Sequence, residues 1–266
     1  MAETWSLLGA LPSIRTAVRL CLGVQIGLAG LLISEDAIDW IRSLASDGIQ
    51  HQETAPAAPG DQTRPFVPVA VPVLKDPSRR LNSPVRLPEV LSRKLSFAMQ
   101  ETDAFGRVLL VSGGIGQGDA KRLESYLRDL DVPPDFVALY SPGGLVHQAL
   151  AMGRLIRESG LKTLVTPDAA CLSSCPYLLA GGVERHVSRS AWVGLHQHYH
   201  DRKTFIPSFL AVESVQTGQG ETLEYLSEME IDPLILIHVL KTPPEDIYIL
   251  VEDELIEYRL ATEIIE

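Results

Sequence analysis

From about residue 105 onward, apolar residues form short, nearly uninterrupted runs that are separated by segments with helical spacing. Such runs are typical of strands that are buried on both faces of a parallel sheet. They predict strands at 107–115, 136–140, 161–165 and 191–195. The intervening spacing predicts helices at 119–130, 146–159, 174–180, 213–230 and 234–240, with a further strand-helix unit at the end. The alternation implies an α/β fold, a mainly parallel sheet with flanking helices.

A second apolar stretch, residues 20–33, lies near the start of the chain and contains Gln25 as its one polar residue. Arg15 and Arg19 precede it and acidic residues follow it, which is the charge order of a signal sequence or an anchor. As a helix it would cover about 21 Å, less than the ~30 Å of a bilayer core. We interpret residues 1–46 as a hydrophobic membrane anchor or signal segment that places the rest outside the cytoplasm, in the periplasm or extracellular space. The alternative is a buried or interfacial helix.

The composition changes between the apolar stretch and the α/β pattern. Eight prolines fall between residues 47 and 90, where no helical period is visible. Each proline removes a backbone donor and biases its predecessor toward extended geometry, so a packed element is not expected. We therefore predict a disordered, proline-rich linker at 47–94 and an α/β domain at 95–266.

Composition narrows the classes of function. The chain has 266 residues, 45% of them hydrophobic, and a net charge of −11, which argues against a nucleic acid as partner. Three cysteines are too few for a disulfide framework. The sequence has no HExxH motif or second Cys/His cluster, so we expect neither a cofactor nor a metal.

Three short motifs carry the candidate chemistry. The run Ser-Pro-Gly-Gly at 141–144 follows a predicted strand, Ser173 and Ser174 begin a small-residue helix, and His196 follows a later strand. A glycine turn can direct backbone N–H groups at an oxyanion, a serine can attack an acyl carbon, and a histidine can take the serine's proton. Taken singly, each motif has a plain alternative, because glycine turns are common and either serine could be a helix N-cap.

As a set, these motifs and the Leu-Leu-Ala-Gly-Gly run at 178–182 resemble the Clp protease proteolytic subunit, and more broadly the Clp-protease/crotonase superfamily. The paired cysteines and the run at 182–185 most resemble its poorly characterised secreted or membrane-anchored members. The resemblance covers about 105–266. It implies a Clp-protease/crotonase-like fold and a serine hydrolase, a peptidase in the first place, with a peptide or protein substrate and a homo-oligomer as a candidate assembly.

The resemblance also implies a role for individual residues. Aligning the 178–182 run with the family's motif places Ser173 at the nucleophile and His196 at the base. The same alignment assigns the backbone N–H groups of Ser174 and Gly144 to the oxyanion hole. A nucleophile at a helix N-terminus is physically coherent, because unpaired N–H groups favour negative charge there.

The third member of the triad has the loosest correspondence. The family's aspartate precedes its last strand-helix unit, which here indicates Asp246, with Glu245 as the neighbouring alternative. The match requires a one-residue adjustment of spacing. A helix-capping aspartate is an alternative interpretation.

Cys171 and Cys175 flank the two serines and allow three interpretations. They could be buried thiols, a short disulfide that fixes the turn in an oxidising compartment, or a source of a cysteine nucleophile. Neither cysteine occupies the family's catalytic position, and the proteolytic subunits generally lack this pair.

His196, His198 and His200 would lie on one face of an extended segment, an arrangement that can bind zinc. A polar loop is the preferred interpretation for His198 and His200.

Two rival functions also remain: an interaction module that has lost turnover, and an acyl-CoA-binding enzyme of the crotonase branch.

Overall fold

The computed structural model describes residues 13–28, 59–66, 83–198 and 208–266. The chain divides into two compact units, Met1–Gln52 and Glu53–Glu266. In the first unit, residues 14–28 form a helix, α1, with exposed apolar side chains such as Ile14 and Ile26. Within the described ranges, no helix combines the length and the apolar character needed to cross a membrane. The remainder of the predicted 1–46 segment lies outside the described residues.

The second unit alternates strands and helices. Its strands are β1 (Thr63–Pro65), β2 (Ser96–Thr102), β3 (Gly106–Ser112), β4 (Phe136–Tyr140), β5 (Lys162–Val165), β6 (Ala170–Leu172), β7 (Arg185–Ser188), β8 (Trp192–Leu195), β9 (Asp246–Ile249) and β10 (Glu263–Ile265). Its helices are α2 (Asp119–Arg128), α3 (Val146–Glu158), α4 (Cys175–Ala180), α5 (Ser208–Glu228), α6 (Leu236–Lys241) and α7 (Glu252–Glu257). A 3₁₀ turn, Pro233–Ile235, precedes α6.

The larger sheet has six strands in the order β10-β7-β5-β4-β3-β2. All its neighbours run parallel except β2, which forms an antiparallel pair with β3. Every residue of β4 is buried, as expected for the continuous apolar run that predicted it. The prediction of an α/β fold with mostly parallel strands is confirmed.

The smaller sheet has four strands in the order β1-β9-β8-β6 and includes strands that the pattern did not predict. Strand β6 pairs parallel with β8, while β8 and β1 both pair antiparallel with β9. A bridge between Ser141 and Cys171 joins the end of β4 to β6. This bridge brings the segment with the serines beside the glycine turn.

Helix α4 is packed so that the serines at its start are fixed. All its residues are buried, and its last carbonyls accept hydrogen bonds from Arg157 of α3. A Cβ on Gly181 would lie 2.7 Å from Cα of Gly153, so small residues are needed where α3 and α4 meet.

The described parts of the predicted linker are packed. β1 pairs with β9, Val85 is fully buried, and Leu87 and Leu91 pack against the core. The prediction that 47–94 lacks a packed element is therefore wrong for 59–66 and 83–94. The physical reason is that β1 is an edge strand with its proline at the end, a place where a missing N–H costs little. The other linker residues, 47–58 and 67–82, lie outside the described part.

Candidate active site

Ser173 occupies a sharp turn between β6 and α4. Its φ of 61° lies in the left-handed region, which is uncommon for a residue with a side chain. Its backbone N–H donates to Gly194 O at 2.9 Å, and the preceding Leu172 donates to Ser141 O at 3.0 Å. Such backbone strain is often found at functional sites, where the surrounding structure enforces it.

The two neighbouring serines differ in burial and in their partners. Ser173 is partly exposed, and its Oγ lies 2.8 Å from Nε2 of His196. Ser174 is fully buried, and within the described residues its hydroxyl has no hydrogen-bond partner. It stands at the N-cap position of α4 but makes no side-chain cap bond. The geometry therefore makes Ser173 the candidate nucleophile.

A disulfide joins Cys171 to Cys175 and closes a short loop around the serine turn, with Cα atoms 5.1 Å apart. Both cysteines are fully buried. Of the three interpretations left open by the sequence, the structure shows the bridge. A bridged pair has no thiolate, so neither cysteine is a nucleophile in this state.

The glycine turn is held by Ser141, a residue whose role was missed in the sequence. The buried Ser141 hydroxyl donates to Gly113 O at 2.6 Å and accepts from the N–H of Gly143 at 3.0 Å. A Cβ on Gly143, which has a φ of 90°, would lie 2.5 Å from Ser173 Cβ and 2.8 Å from Ser174 N. Only glycine permits this approach.

Two backbone N–H groups near Ser173 are candidates for the oxyanion hole. The N–H of Ile115 donates to Gly143 O and Leu145 donates to Ile115 O, which fixes the chain on both sides of Gly144. Within the described part of the chain, the N–H groups of Gly144 and Ser174 donate to no acceptor. Gly144 is also exposed, so a substrate oxygen can reach its N–H.

The His196 side chain is buried, with 3% of its surface exposed. Burial lowers the pKa of His196 below its ordinary value, and the Pro244 carbonyl acts in the opposite direction. The imidazole is therefore neutral at neutral pH and can accept a proton from Ser173 at Nε2. Its Nδ1 is buried and has no partner within hydrogen-bond geometry among the described residues.

Asp246, the predicted third residue, does not reach Nδ1 of His196. The register pairs Leu195 with Tyr248, and residues directly opposite in an antiparallel pair share a face. Because faces alternate, Asp246 shares the face of Tyr248, and His196, next after Leu195, lies on the other face. The alternative residue, Glu245, is exposed and makes no side-chain contact with His196 in the described part.

Of the two other candidate histidines, the structure describes His198. Nε2 of His198 is 2.8 Å from the hydroxyl of Tyr177, and His200 lies outside the described residues. Among the residues that the structure describes, no three or more His, Cys, Asp or Glu side chains are placed to hold a metal ion.

A groove of about 860 Å³ begins at Gly144 and runs past Gln197 and His198 to helices α5 and α6. Its apolar lining residues are Leu145, Val146, Val215, Leu236, Val239 and Leu240. Within the described lining, the carboxylates are Glu213 and Glu221, and no lysine or arginine is present. The groove therefore combines apolar side chains with uncharged polar ones and two carboxylates.

Comparisons with known proteins add little. No protein-family model matches the chain, and no curated protein matches it. The chain is similar to the solved structure of a ClpP1 mutant from Listeria monocytogenes, with 17% identity, 60% of this chain and 91% of that chain covered, and a TM-score of 0.47. Because the identity and the TM-score are both low, the function proposed below rests on the site's own geometry.

Proposed function

We propose that the protein is a serine hydrolase, with peptide bonds as its expected substrates. Ser173 attacks the acyl carbon, His196 moves the proton, and the N–H groups of Gly144 and Ser174 bind the oxyanion. The 2.8 Å distance between Ser173 Oγ and His196 Nε2 is the observation that supports this assignment. A chance contact between a loop serine and a histidine would not require the strained φ of Ser173.

The proposed reaction has two half-reactions, acylation of Ser173 and deacylation by water. In the first, the Oγ–carbon bond forms as the Oγ proton passes to Nε2, and collapse of the oxyanion expels the leaving group with that proton. In the second, His196 takes a proton from water as the hydroxide attacks the acyl-enzyme. Collapse of that intermediate breaks the Oγ–carbon bond and releases the carboxylic acid, and the proton returns from Nε2 to Ser173 Oγ. No cofactor or metal takes part in either half.

The chemistry is proposed for a Ser173–His196 pair. The orienting role of Asp246 remains a prediction, and no contact in the described residues supports it. A pair without a carboxylate can still transfer the proton, because the lowered pKa of His196 leaves the base neutral at neutral pH.

The groove supports an extended substrate with apolar side chains. Gly144, the proposed oxyanion donor, lines the groove, while Ser173 and His196 do not, so we place the reacting carbonyl of a bound chain at the Gly144 end. Glu213 and Glu221 would repel acidic side chains and attract basic ones. We therefore expect peptides with apolar and basic residues to react faster than acidic ones.

A location outside the cytoplasm, with the N-terminal segment as its anchor, is proposed on two grounds. The disulfide between Cys171 and Cys175 fits an oxidising compartment, and the charges around residues 20–33 have the order of an export signal. A reporter fused after Glu266 should be active only outside the cytoplasm. Activity confined to the cytoplasm would contradict this proposal.

The homo-oligomer likewise remains a proposal, and the mass of the full-length protein in analytical ultracentrifugation would test it.

One observation favours a second candidate, a non-catalytic interaction module. The unpartnered Nδ1 of His196 is what an abandoned triad would leave behind. This candidate predicts binding of a peptide or protein without turnover.

A fluorophosphonate probe applied to the full-length protein separates the two candidates. We expect covalent labelling, with peptide mapping placing the adduct on Ser173, and no labelling of Ser173→Ala. Labelling at Ser174 would contradict the assignment of the nucleophile. A folded protein that binds peptides but is not labelled would favour the interaction module.

A further inference from the structure

Residues 62–66, called the strap here, attach a segment of the proline-rich region to the active-site sheet. They contain β1, which pairs with β9, and the N–H of Phe66 donates to Glu245 O at 2.7 Å. At the other end, Nε2 of Gln62 donates to the carboxylate of Glu254 at 2.7 Å. The strap is therefore fixed at both ends.

The strap places two side chains over the face of β8 that leads to the catalytic histidine. The guanidinium of Arg64 lies 4.9 Å from the ring centroid of Trp192, and the ring of Phe66 lies 4.7 Å from that of His196. Residues two apart on a strand share a face, so Arg64 and Phe66 point the same way. The same alternation puts Trp192 and His196 in one row.

Phe66 contacts His196, a histidine that makes no hydrogen bond with a carboxylate among the described residues. His196 makes a hydrogen bond with Ser173 at Nε2, and its Nδ1 has no partner within the described part. Beyond this hydrogen bond and the neighbouring Pro244 carbonyl, packing of the buried ring is what restricts rotation of the imidazole about its Cβ–Cγ bond. The ring of Phe66, inclined at 52° to the imidazole, restricts this rotation.

We propose that the strap positions the base: the ring of Phe66 holds the His196 imidazole in its reactive orientation, the task that a buried carboxylate performs in a serine triad. Phe66 is a positioning residue, since it does not touch the reacting atoms. The catalytic part of this inference rests on the proposed hydrolase function.

Removal of the ring should also change the titration of His196. Phe66 contributes to the burial that lowers the pKa of His196. The Pro244 carbonyl raises this pKa, and burial, the larger cause, lowers it. Exposure of the imidazole should therefore raise its pKa toward about 6.5.

The experiment compares Phe66→Ala, Phe66→Tyr and Phe105→Ala in the full-length protein. Histidine-selective ¹⁵N NMR gives the pKa of His196, with His196→Gln to assign its signals, and the fluorophosphonate labelling rate is measured across pH. Phe105 is the matched control, because it is also half-buried and its contact is with Phe136, at a centroid distance of 5.3 Å.

We expect Phe66→Ala to raise the pKa of His196 and to move the acid limb of the labelling profile to higher pH. At pH 8, where the base is neutral in every variant, labelling should fall between about 10- and 100-fold through lost orientation. Phe66→Tyr should restore both readouts. Phe105→Ala should change neither, although it removes a comparable packing contact.

An unchanged pKa together with unchanged labelling at pH 8 in folded Phe66→Ala would overturn the proposal. If Phe66→Ala does not fold, Phe66→Leu replaces it, and wild-type labelling of that variant would likewise overturn the positioning role. If the wild-type protein is not labelled at all, the hydrolase function fails, and the NMR pKa of His196 decides separately whether the strap controls this histidine.

Discussion

The two ring nitrogens of His196 differ in their hydrogen-bond partners. Nε2 meets Ser173 at 2.8 Å, on a turn fixed by a disulfide, by Ser141 and by the glycines. Nδ1 is buried and has no hydrogen-bond partner within the described part, although the Pro244 carbonyl is close enough to raise the pKa of His196. The Nε2 side holds the candidate nucleophile, while the acceptor that acts on the rest of the ring is the Pro244 carbonyl and not a carboxylate.

The difference follows from how each side is assembled. The nucleophile side comes from one stretch of chain, 141–196, in which β6 is followed by the serine turn and β8 by His196. The Nδ1 side combines β9 with the strap, which lies far from it in sequence and pairs with it only after folding. Substitutions on the two sides of His196 should therefore differ in their effect on activity.

Ser173→Ala should lower labelling or hydrolysis by about 10⁴-fold or more, because it removes the nucleophile and leaves only binding and the oxyanion donors. The rate of hydrolysis of an activated ester checks this in protein shown by circular dichroism to be folded. A variant that retains the wild-type rate would show that the Nε2 side is not the active one.

His196→Ala should match that loss without adding to it in the double variant, because the two residues act as a unit. The four rates of a double-mutant cycle provide the measurement. Additive losses would mean that Ser173 and His196 function independently despite their contact.

Removing the disulfide should reduce activity less than Ser173→Ala or His196→Ala does. Replacement of Cys171 and Cys175 by alanine should reduce stability by about 2 kcal/mol, since the closed loop is short. Labelling should fall by up to about 10²-fold, because the left-handed φ of Ser173 loses a constraint. Urea unfolding and labelling rates test the two parts, and two alkylatable thiols in protein from its own compartment would refute the bridge.

Asp246→Asn should change the rate by less than about 10-fold, since the carboxylate lies on the face opposite to His196. A triad aspartate would give a loss of about 10⁴-fold when changed in this way. Such a loss, measured as kcat/KM, would place Asp246 at Nδ1 and remove the contrast between the two nitrogens.

Ser174→Ala should leave labelling nearly unchanged, because the proposed oxyanion contact uses the backbone N–H. It should raise the free energy of unfolding by about 1 kcal/mol, since the buried hydroxyl has no partner among the described residues. Thermal and urea unfolding report the stability. A large loss of labelling in a stable variant would instead give the hydroxyl a chemical role.

Much of the fold was predictable because its signals are local. The fully buried β4 follows from a continuous apolar run, and α3 from helical spacing. Strand β1 was missed because its proline-rich sequence gives no periodic signal, and it forms only by pairing with β9. Ser141 was missed as an organiser of the turn because its partners, Gly113 and Gly143, are known only from the structure.

The sequence alone determined the α/β class and the longer buried strands and helices, since these depend on local apolar patterns. The choice of Ser173 over Ser174 and its pairing with His196 came from the resemblance of the 141–196 motifs to a known family. The tertiary structure decided what surrounds Nδ1. Side chains alternate between the faces of a strand with a period of two, so the one-residue uncertainty in the spacing of Asp246 was enough to reverse its face. Only the pairing of β1 with β9 brought Phe66 to the ring instead.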